Sequence, residues 1–175
     1  MSCATIDGGY TIDCNKDSLG GLARVRLIAK NNIESYTVGV DGIITGIKIK
    51  TGKMFYDFAL VKSTSNFVNT YTSNPANGTF FYAQALTLVF NKIKAATSKT
   101  VHALATSSVV AIVEDRNGEV ILLGKENGLD VSGGTMASGT AGADRNGYDL
   151  QFTGEEKDCS HVDPTIVATL LVAAV

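Results

Sequence analysis

The sequence predicts a mainly β protein, built as an antiparallel β-sandwich or barrel with one flanking α-helix. Asn-Gly and Asp-Gly pairs, whose glycines supply the positive φ of tight hairpin turns, recur along the chain. Short apolar or alternating runs lie between these pairs, and one segment near 92–105 has helical spacing. The six pairs are Asp7-Gly8, Asp41-Gly42, Asn77-Gly78, Asn117-Gly118, Asn127-Gly128 and Asn146-Gly147.

The runs between the turns have the lengths and patterns of β-strands. The run at 43–50 alternates and places Thr45, Ile47 and Ile49 on one face, whereas the run at 109–113 is continuously apolar. Together the runs are numerous enough to form a sandwich or a barrel. They cover residues 24–30, 43–50, 55–62, 66–72, 80–90, 109–113, 120–123 and 148–153.

A single amphipathic segment at 92–105 predicts the helix. Its apolar stripe consists largely of small side chains, which suits a helix lying against the flank of a sheet. The stripe is formed by Ile93, Ala96, Thr97, Val101 and Leu104. Residues 84–91 could extend the helix or the preceding strand, and Thr87, Val89 and Phe90 favour the strand.

Length and composition indicate one domain that can bury a core without metal or disulfide bonds. The chain has 175 residues, of which 45 % are apolar and 18 % are charged, and its formal net charge is −2. This charge gives no strong attraction to nucleic acid or to an anionic membrane. We expect an N-terminal arm at 1–21, a β domain at 22–154 and a C-terminal tail at 155–175.

No segment has the pattern of a secretory signal or a membrane span. Residues 1–9 are polar and lack a basic and an apolar region. The longest apolar run, at 166–175, is much shorter than the ~20 residues that cross a bilayer. We therefore expect no membrane partner and synthesis in a cytoplasm.

The sequence offers little catalytic or metal-binding chemistry. Cys159 and His161, with Cys3 and Cys14, could supply four zinc ligands, but zinc sites usually have paired short spacings and only one short pair is present. Free thiols are the favoured interpretation. The only other histidine is His102, so no nucleophile and base stand out as a pair. We therefore predict that the protein is not an enzyme and has no cofactor or small-molecule substrate.

Two segments are candidates for contacts between copies of the chain. Residues 133–147 are small and rich in glycine, and we expect a loop that becomes ordered against a neighbour. Residues 164–175 are apolar; Asp163-Pro164 favours a helix start, whereas the β-branched residues favour a strand. We expect this tail to dock on a neighbouring copy across a polar linker at 155–163. The candidate interface residues are Gly133, Gly134, Met136, Gly139, Gly142, Ile166, Val167, Leu170 and Leu171.

The order of turns and strands over about residues 14–156 resembles a known family. Cys14 and Leu19-Gly20-Gly21 precede the strands, and FFYAQALTLVF at 80–90 leads into the helix. The stretches VAIVEDRNG at 110–118, LGKENGL at 123–129 and DRNGYDLQFTGEE at 144–156 follow. This order is similar to that of the tail tube and tube-like virion proteins of tailed bacteriophages, notably those that infect Bacteroidetes-type hosts.

The resemblance implies a structural role in the virion tail. Members of that family close a β-sandwich or barrel with a flanking helix into hexameric rings, which stack into a hollow tube. The implied partners are other copies of the chain, other tail proteins and viral DNA as a transient passenger of the lumen. Two alternatives stay open: another self-assembling virion component, such as a neck, terminator or capsid-decorating protein, and a non-viral β-sandwich binding module.

Overall fold

The structure is a computed structural model that describes residues 8–11, 18–170 and 172–174. Cys3 and Cys14, considered above as zinc ligands, lie outside the described residues, as does the candidate interface residue Leu171. The description therefore covers the predicted β domain and most of the predicted C-terminal tail.

The described chain is mainly β, with antiparallel sheets and two α-helices, as the sequence predicts. A 3-10 turn at Lys30–Asn32 separates the first two strands. The strands are β1 (Leu22–Ala29), β2 (Ile33–Val38), β3 (Ile44–Ile49), β4 (Phe55–Phe58), β5 (Asn66–Asn74), β6 (Thr79–Asn91), β7 (Val109–Asp115), β8 (Val120–Leu123), β9 (Asp130–Ala137), β10 (Gly147–Glu156), β11 (Ser160–His161) and β12 (Val172–Ala174), and the helices are α1 (Ala95–Ala105) and α2 (Pro164–Val167).

The strands form two sheets and one separate hairpin. The larger sheet has six strands in the order β11-β8-β7-β1-β4-β12, and the smaller has four in the order β5-β6-β10-β9. Strands β2 and β3 form the hairpin. All neighbours are antiparallel except β12, which runs parallel to β4.

The main core lies between the two sheets. Leu27 and Val113 of the six-stranded sheet belong to the same buried cluster as Leu88 and Phe152 of the four-stranded sheet. Leu104 of α1 joins this cluster, so the helix flanks the sandwich as its modest apolar stripe predicts. The predicted β-sandwich with one flanking helix is thereby confirmed, and α1 falls within the predicted range of 92–105.

A second core covers the opposite face of the six-stranded sheet. Val110 and Ile112 alternate with the inward residues of β7, and they pack against Ile44 of the β2–β3 hairpin. Val162 and Val167 from the C-terminal segment complete this buried cluster. The six-stranded sheet is therefore covered on both faces, which accounts for the continuous apolar run in β7.

Glycine turns connect several of the hairpins as the sequence predicts. Gly42, Gly78 and Gly118 have φ values of 77°, 64° and 90° and lie between β2 and β3, β5 and β6, and β7 and β8. The pair Asn146-Gly147 does not form a hairpin turn, because Gly147 is the first residue of β10. Glycine is needed there because a Cβ atom would collide with the carbonyl oxygen of Phe90 on the adjacent strand.

The expectation of a single loop over 133–147 is wrong for its first part. Residues up to Ala137 belong to β9, which pairs with β10 and places Gly133 opposite Gln151 and Gly134 opposite Leu150. The segment lacks the alternating apolar side chains that predict a strand, and its backbone pairing with β10 is what identifies it as one. The connecting loop is confined to 138–146.

The C-terminal segment packs on its own domain, contrary to the expectation that it docks on a neighbour. The expected linker at 155–163 contributes to β10 and β11, and Val167 is buried in the second core with Ile166 and Leu170 packed against it. Both predictions for its secondary structure are partly right: α2 is followed by β12. Asp163 caps α2 by accepting a hydrogen bond from the Thr165 amide at 2.9 Å.

Truncating a side chain of β7 that faces the second core should strongly destabilise the fold. Ile112 is fully buried, so Ile112→Ala should lower the free energy of unfolding by about 2–5 kcal/mol. Val40→Ala, in the exposed turn between β2 and β3, should change it by less than about 0.5 kcal/mol. Urea unfolding of both variants measures this difference, and equal effects would contradict the two-sided burial of β7.

Polar substitution in the C-terminal segment should lower the stability of the monomer itself. Val167→Ser places a hydroxyl in the second core, whereas Ala168→Ser on the next, exposed residue does not. We expect a lower Tm for the first variant and an unchanged Tm for the second. If the Val167 variant kept the parental Tm at every protein concentration, the tail would not dock on its own domain.

Candidate assembly surface

The four-stranded sheet ends on both sides in a strand with one unpaired edge. Its outer strands are β5 and β9, and each hydrogen-bonds to only one neighbour within the described chain. Because all four strands are antiparallel and their number is even, β5 and β9 run in opposite directions. An edge strand of this kind presents a row of backbone donors and acceptors that another chain can pair with.

Strand β9 brings three of the predicted interface residues to one edge. Gly133, Gly134 and Met136 follow one another along it, and Met136 is 61 % exposed. A Cβ atom on Gly134 would lie 2.7 Å from the carbonyl oxygen of Asp149 and 3.0 Å from Leu150. The glycine thus permits close approach of β9 to β10 and leaves a gap between Val131 and Met136 on the inner face of the edge.

An open groove of about 560 Å³ runs between α1 and the inner face of β9. Val101 of α1, Val131 of β9 and Leu150 of β10 form its apolar walls, and Met136 lies beside it. The Ser98 and Tyr148 hydroxyls are 2.6 Å apart and tie the helix to the sheet. The groove therefore lies at the unpaired edge with largely apolar walls, and the hydrogen bond between Ser98 and Tyr148 holds α1 against the sheet beside it.

The opposite edge carries exposed aromatic residues. Tyr71 on β5 is 69 % exposed and Phe80 on β6 is 51 % exposed. Both rings make edge-to-face contacts with Tyr82, at centroid distances of 5.1 Å each. Strand alternation places Tyr71 on the same face as Phe67, which packs against the main core.

The sequence does not indicate that this aromatic group is exposed. Phe80 and Tyr82 share their parity with the core residue Leu86, and such parity is typical of core packing. Their exposure depends on where the opposing sheet ends, which the local sequence does not specify. The exposed tyrosine at Tyr71, in a weakly alternating strand, was the signal that could have located the edge.

The four strands of this sheet contain no lysine or arginine. Their acidic residues are Asp130, Asp149, Glu155 and Glu156. Glu156 points inward and is buried, and Arg145 from the 138–146 loop pairs with Asp149. The outer face of the sheet is thus neutral to weakly acidic, and it is formed largely by threonine, asparagine and alanine side chains.

The loop at 138–146 is held by one carboxylate. Gly139 has a φ of 73°, and the exposed Asp144 carboxylate accepts hydrogen bonds from the amides of Ala141 at 2.7 Å and Thr140 at 2.8 Å. These two backbone bonds hold the pKa of Asp144 below its ordinary value. Gly139 and Gly142, both predicted as interface residues, therefore lie in a structured turn next to the β9 edge.

The remaining predicted interface residues lie elsewhere. Ile166, Val167 and Leu170 belong to the second core, on the far face of the six-stranded sheet. They are therefore not brought together with the glycines of β9. Three of the nine candidates lie along the β9 edge itself and two in the adjoining turn.

Cys159 and His161 each have one polar neighbour among the described residues. Cys159 accepts a hydrogen bond from the Asn69 amide at 3.2 Å, and burial raises the pKa of its thiol. His161 lies 3.6 Å from Glu119. No group of three His, Cys, Asp or Glu residues that could hold a metal ion occurs in the described ranges.

The buried carboxylate of Glu156 holds the end of β10 against a neighbouring turn. The buried Glu156 carboxylate accepts hydrogen bonds from the amides of Glu126 at 3.0 Å and Asn127 at 2.8 Å, which ties β10 to the turn before β9. Burial, followed by the negative charge of Glu156, raises the pKa of Tyr36 to about 12. The contacts of Glu156 are thus structural, since they fix the end of β10 against that turn.

No helix among the described residues is both long and apolar enough to cross a bilayer. Comparison with known proteins gives no match: no family model matches the chain, and no curated protein or solved structure is significantly similar to it. Function is therefore inferred from the geometry of the sheet edges.

The hydrogen bonds from the Thr140 and Ala141 amides to the Asp144 carboxylate should depend on pH. Because its pKa in the folded protein is lowered, the bonds to Thr140 and Ala141 are complete above the ordinary value of 3.8 and are lost as the pH falls through the lowered pKa. We expect the two amide NMR signals to titrate together with a midpoint below 3.8. Asp144→Asn should abolish this titration, and a midpoint above the ordinary value would contradict the assignment.

Proposed function

We propose that this protein is a structural subunit that assembles with copies of itself by continuing its four-stranded sheet from one copy to the next. The observation that carries the proposal is the opposite direction of the two unpaired edges. Because β5 and β9 are antiparallel to each other, β9 of one copy can pair antiparallel with β5 of the next without reversing either molecule. The same contact then repeats around an assembly.

Such a contact is head-to-tail, and it closes into a ring when the rotation between copies allows. Pairing also satisfies the backbone donors and acceptors that each edge exposes, so every copy gains hydrogen bonds on both sides. The edge strands have 9 and 8 residues, which is long enough for a continuous ladder. The six-stranded sheet, by contrast, ends in the short strands β11 and β12, which offer few backbone groups for a neighbour to pair with.

The side chains of the two edges are also complementary. Tyr71 faces the core side of β5, and the groove beside α1 opens on the core side of β9. In a continued sheet these two features face the same side. Tyr71 of the next copy would fill the space that Gly134 leaves open on the core side and would bury its exposed ring against Val101 and Met136.

The charge of the sheet supports a tube through which DNA passes. We place the outer face of the four-stranded sheet on the inside of the ring, because its strands carry no lysine or arginine and the neighbouring Arg145 is paired with Asp149. A wall without unpaired cations on its strands holds phosphates weakly and lets them slide. We therefore propose that the protein is a subunit of a virion tail tube, which viral DNA contacts only while it passes through the lumen. Other tail proteins would be further partners, and the subunit would have no catalytic activity.

Charge introduced at either edge should prevent assembly without unfolding the monomer. Tyr71→Lys and Met136→Glu each place an exposed side chain that a paired strand would have to bury beside apolar groups. We expect each variant to keep the Tm of the parental monomer and to run as a monomer, whereas Val40→Lys, at a fully exposed position in the turn between β2 and β3, should assemble normally. Negative-stain electron microscopy and native mass spectrometry measure the outcome.

A mixture of the two edge variants provides the sharper test. Each Tyr71→Lys copy has an intact β9 edge and each Met136→Glu copy an intact β5 edge, so mixing can restore the contact between unlike edges as isolated pairs. The double variant Tyr71→Lys with Met136→Glu should regain rings, because the new charges attract across the contact. Parental protein that remains monomeric at all concentrations would refute self-assembly, and closed single rings that never stack would favour a terminator or neck protein.

A further inference from the structure

The described residues include four Asn-Gly pairs, whose chemistry extends beyond their role in turns. The backbone nitrogen of such a glycine can attack the side-chain amide of the asparagine before it, since glycine has no Cβ atom that hinders the approach. In a folded protein, hydrogen bonds that fix the side-chain amide and crowding around the glycine both oppose this reaction. All four asparagines are exposed, and the pairs are Asn77-Gly78, Asn117-Gly118, Asn127-Gly128 and Asn146-Gly147.

The side-chain amide of Asn117 is fixed by three hydrogen bonds. It accepts one from the Leu19 amide at 2.7 Å and donates to the Leu19 carbonyl at 3.1 Å and to the Asp115 carboxylate at 2.8 Å. These bonds must break before the amide can turn toward the Gly118 nitrogen. Asn117 is therefore protected, although a Cβ atom on Gly118 would meet nothing within 4 Å.

Hydrogen bonds also hold the side chains of Asn127 and Asn146. Asn127 donates to the Glu155 carbonyl at 2.6 Å. Asn146 accepts a bond from the Ile93 amide at 2.9 Å and donates to the Ser138 carbonyl at 3.4 Å. Each side chain thereby ties separate segments of the chain together and is not free to rotate.

The glycines of these two pairs are also enclosed. Gly128 and Gly147 are both buried. A Cβ atom on Gly128 would lie 3.1 Å from Ser108 and 3.2 Å from Lys30, and one on Gly147 would collide with the Phe90 carbonyl oxygen. The backbone at each glycine therefore has little room to move into the ring that the reaction requires.

The pair Asn77-Gly78 meets neither obstacle. No side-chain hydrogen bond among the described residues involves the side-chain amide of Asn77, and the turn is held instead by Asn74, whose side chain accepts from the backbone amides of Ala76 and Asn77. A Cβ atom on Gly78 would have nothing within 4 Å. The Gly78 amide donates only a long bond of 3.3 Å, to the Pro75 carbonyl. Both reacting groups are therefore free to meet.

We propose that Asn77 is a site of spontaneous deamidation, with the Gly78 nitrogen as the nucleophile. A bond forms between that nitrogen and Cγ of Asn77, the bond from Cγ to Nδ2 breaks, and ammonia leaves with the Gly78 amide proton. Water then opens the cyclic imide at either carbonyl carbon, which gives an aspartate or an isoaspartate. Either product carries a carboxylate, so the tip of the β5–β6 hairpin gains a negative charge at neutral pH.

An isoaspartate would also change the backbone of the turn. The chain then continues through the side-chain carbonyl, which lengthens the 75–78 connection by one carbon atom. Because the length of a hairpin connection fixes the register of its strands, the pairing of Asn74 with Thr79 would be disturbed. Asn77→Asp adds the same charge without the longer connection, and it is the matched control for this effect.

Incubation of the whole protein at mildly alkaline pH, folded and in urea, tests the proposal. Each pair falls on its own tryptic peptide, so mass spectrometry can follow the conversion of each amide into an acid separately. We expect similar rates at all four pairs in urea. In the folded protein Asn77 should react about tenfold or more faster than the others, because their side-chain hydrogen bonds must break first. The peptides are 63–92, 117–125, 126–145 and 146–157.

Two variants locate the reaction. Asn77→Gln should abolish the conversion in peptide 63–92 without lowering the Tm, because a glutamine side chain forms the corresponding ring far more slowly and the position is exposed. In the deamidated parent, the NMR signals of Asn74 and Thr79 should shift more than in Asn77→Asp, and equal shifts would contradict isoaspartate formation. The proposal would be overturned by equal rates at the four pairs in the folded protein, by a faster reaction at another pair, or by the same preference for Asn77 in urea. An unchanged conversion of peptide 63–92 in Asn77→Gln would also overturn it.

Discussion

The burial of β7 on both faces is the constraint on which the rest of the structure depends. Residues 109–113 are apolar without interruption, so two separate layers must cover them. The four-stranded sheet and α1 cover one face, and the β2–β3 hairpin and the C-terminal segment cover the other. The tail is used for this purpose and is not free to reach a neighbour, and the two longest strands with an unpaired edge, β5 and β9, belong to the four-stranded sheet.

The sequence predicted those parts of the fold that local chemistry determines. Strand β8 matches its predicted range of 120–123, and the glycines at Gly42, Gly78 and Gly118 mark real hairpins. Strand β9 was not predicted, because the glycine at Gly134 is required by the close approach of β10, which lies later in the chain and is not visible in the local pattern. The docking of Val167 was missed for the same reason: an apolar tail is suited to its own domain and to a neighbour alike.

The candidate site was also predicted only in part. Again its local features were predicted, and those that depend on long-range contacts were not. The small residues Gly133 and Gly134 indicated a contact segment at β9 although its secondary structure was predicted wrongly, because a scarcity of side chains is itself a local signal. The groove beside α1 and the exposure of Tyr71 depend on where one sheet stops covering the other. That boundary arises from strand lengths across the whole sandwich, which no single segment encodes.

The strand order also determines the order in which the sheets can form while the chain is being synthesised. β1 pairs with β7, so the central sheet cannot close until the ribosome has released the chain beyond Asp115. β9 needs β10, which follows it, so the β9 edge is completed after the β5 edge. Long-range pairings of this kind form slowly. A chain that is still being synthesised can therefore complete the β5–β6 hairpin while β9 still lacks its partner strand.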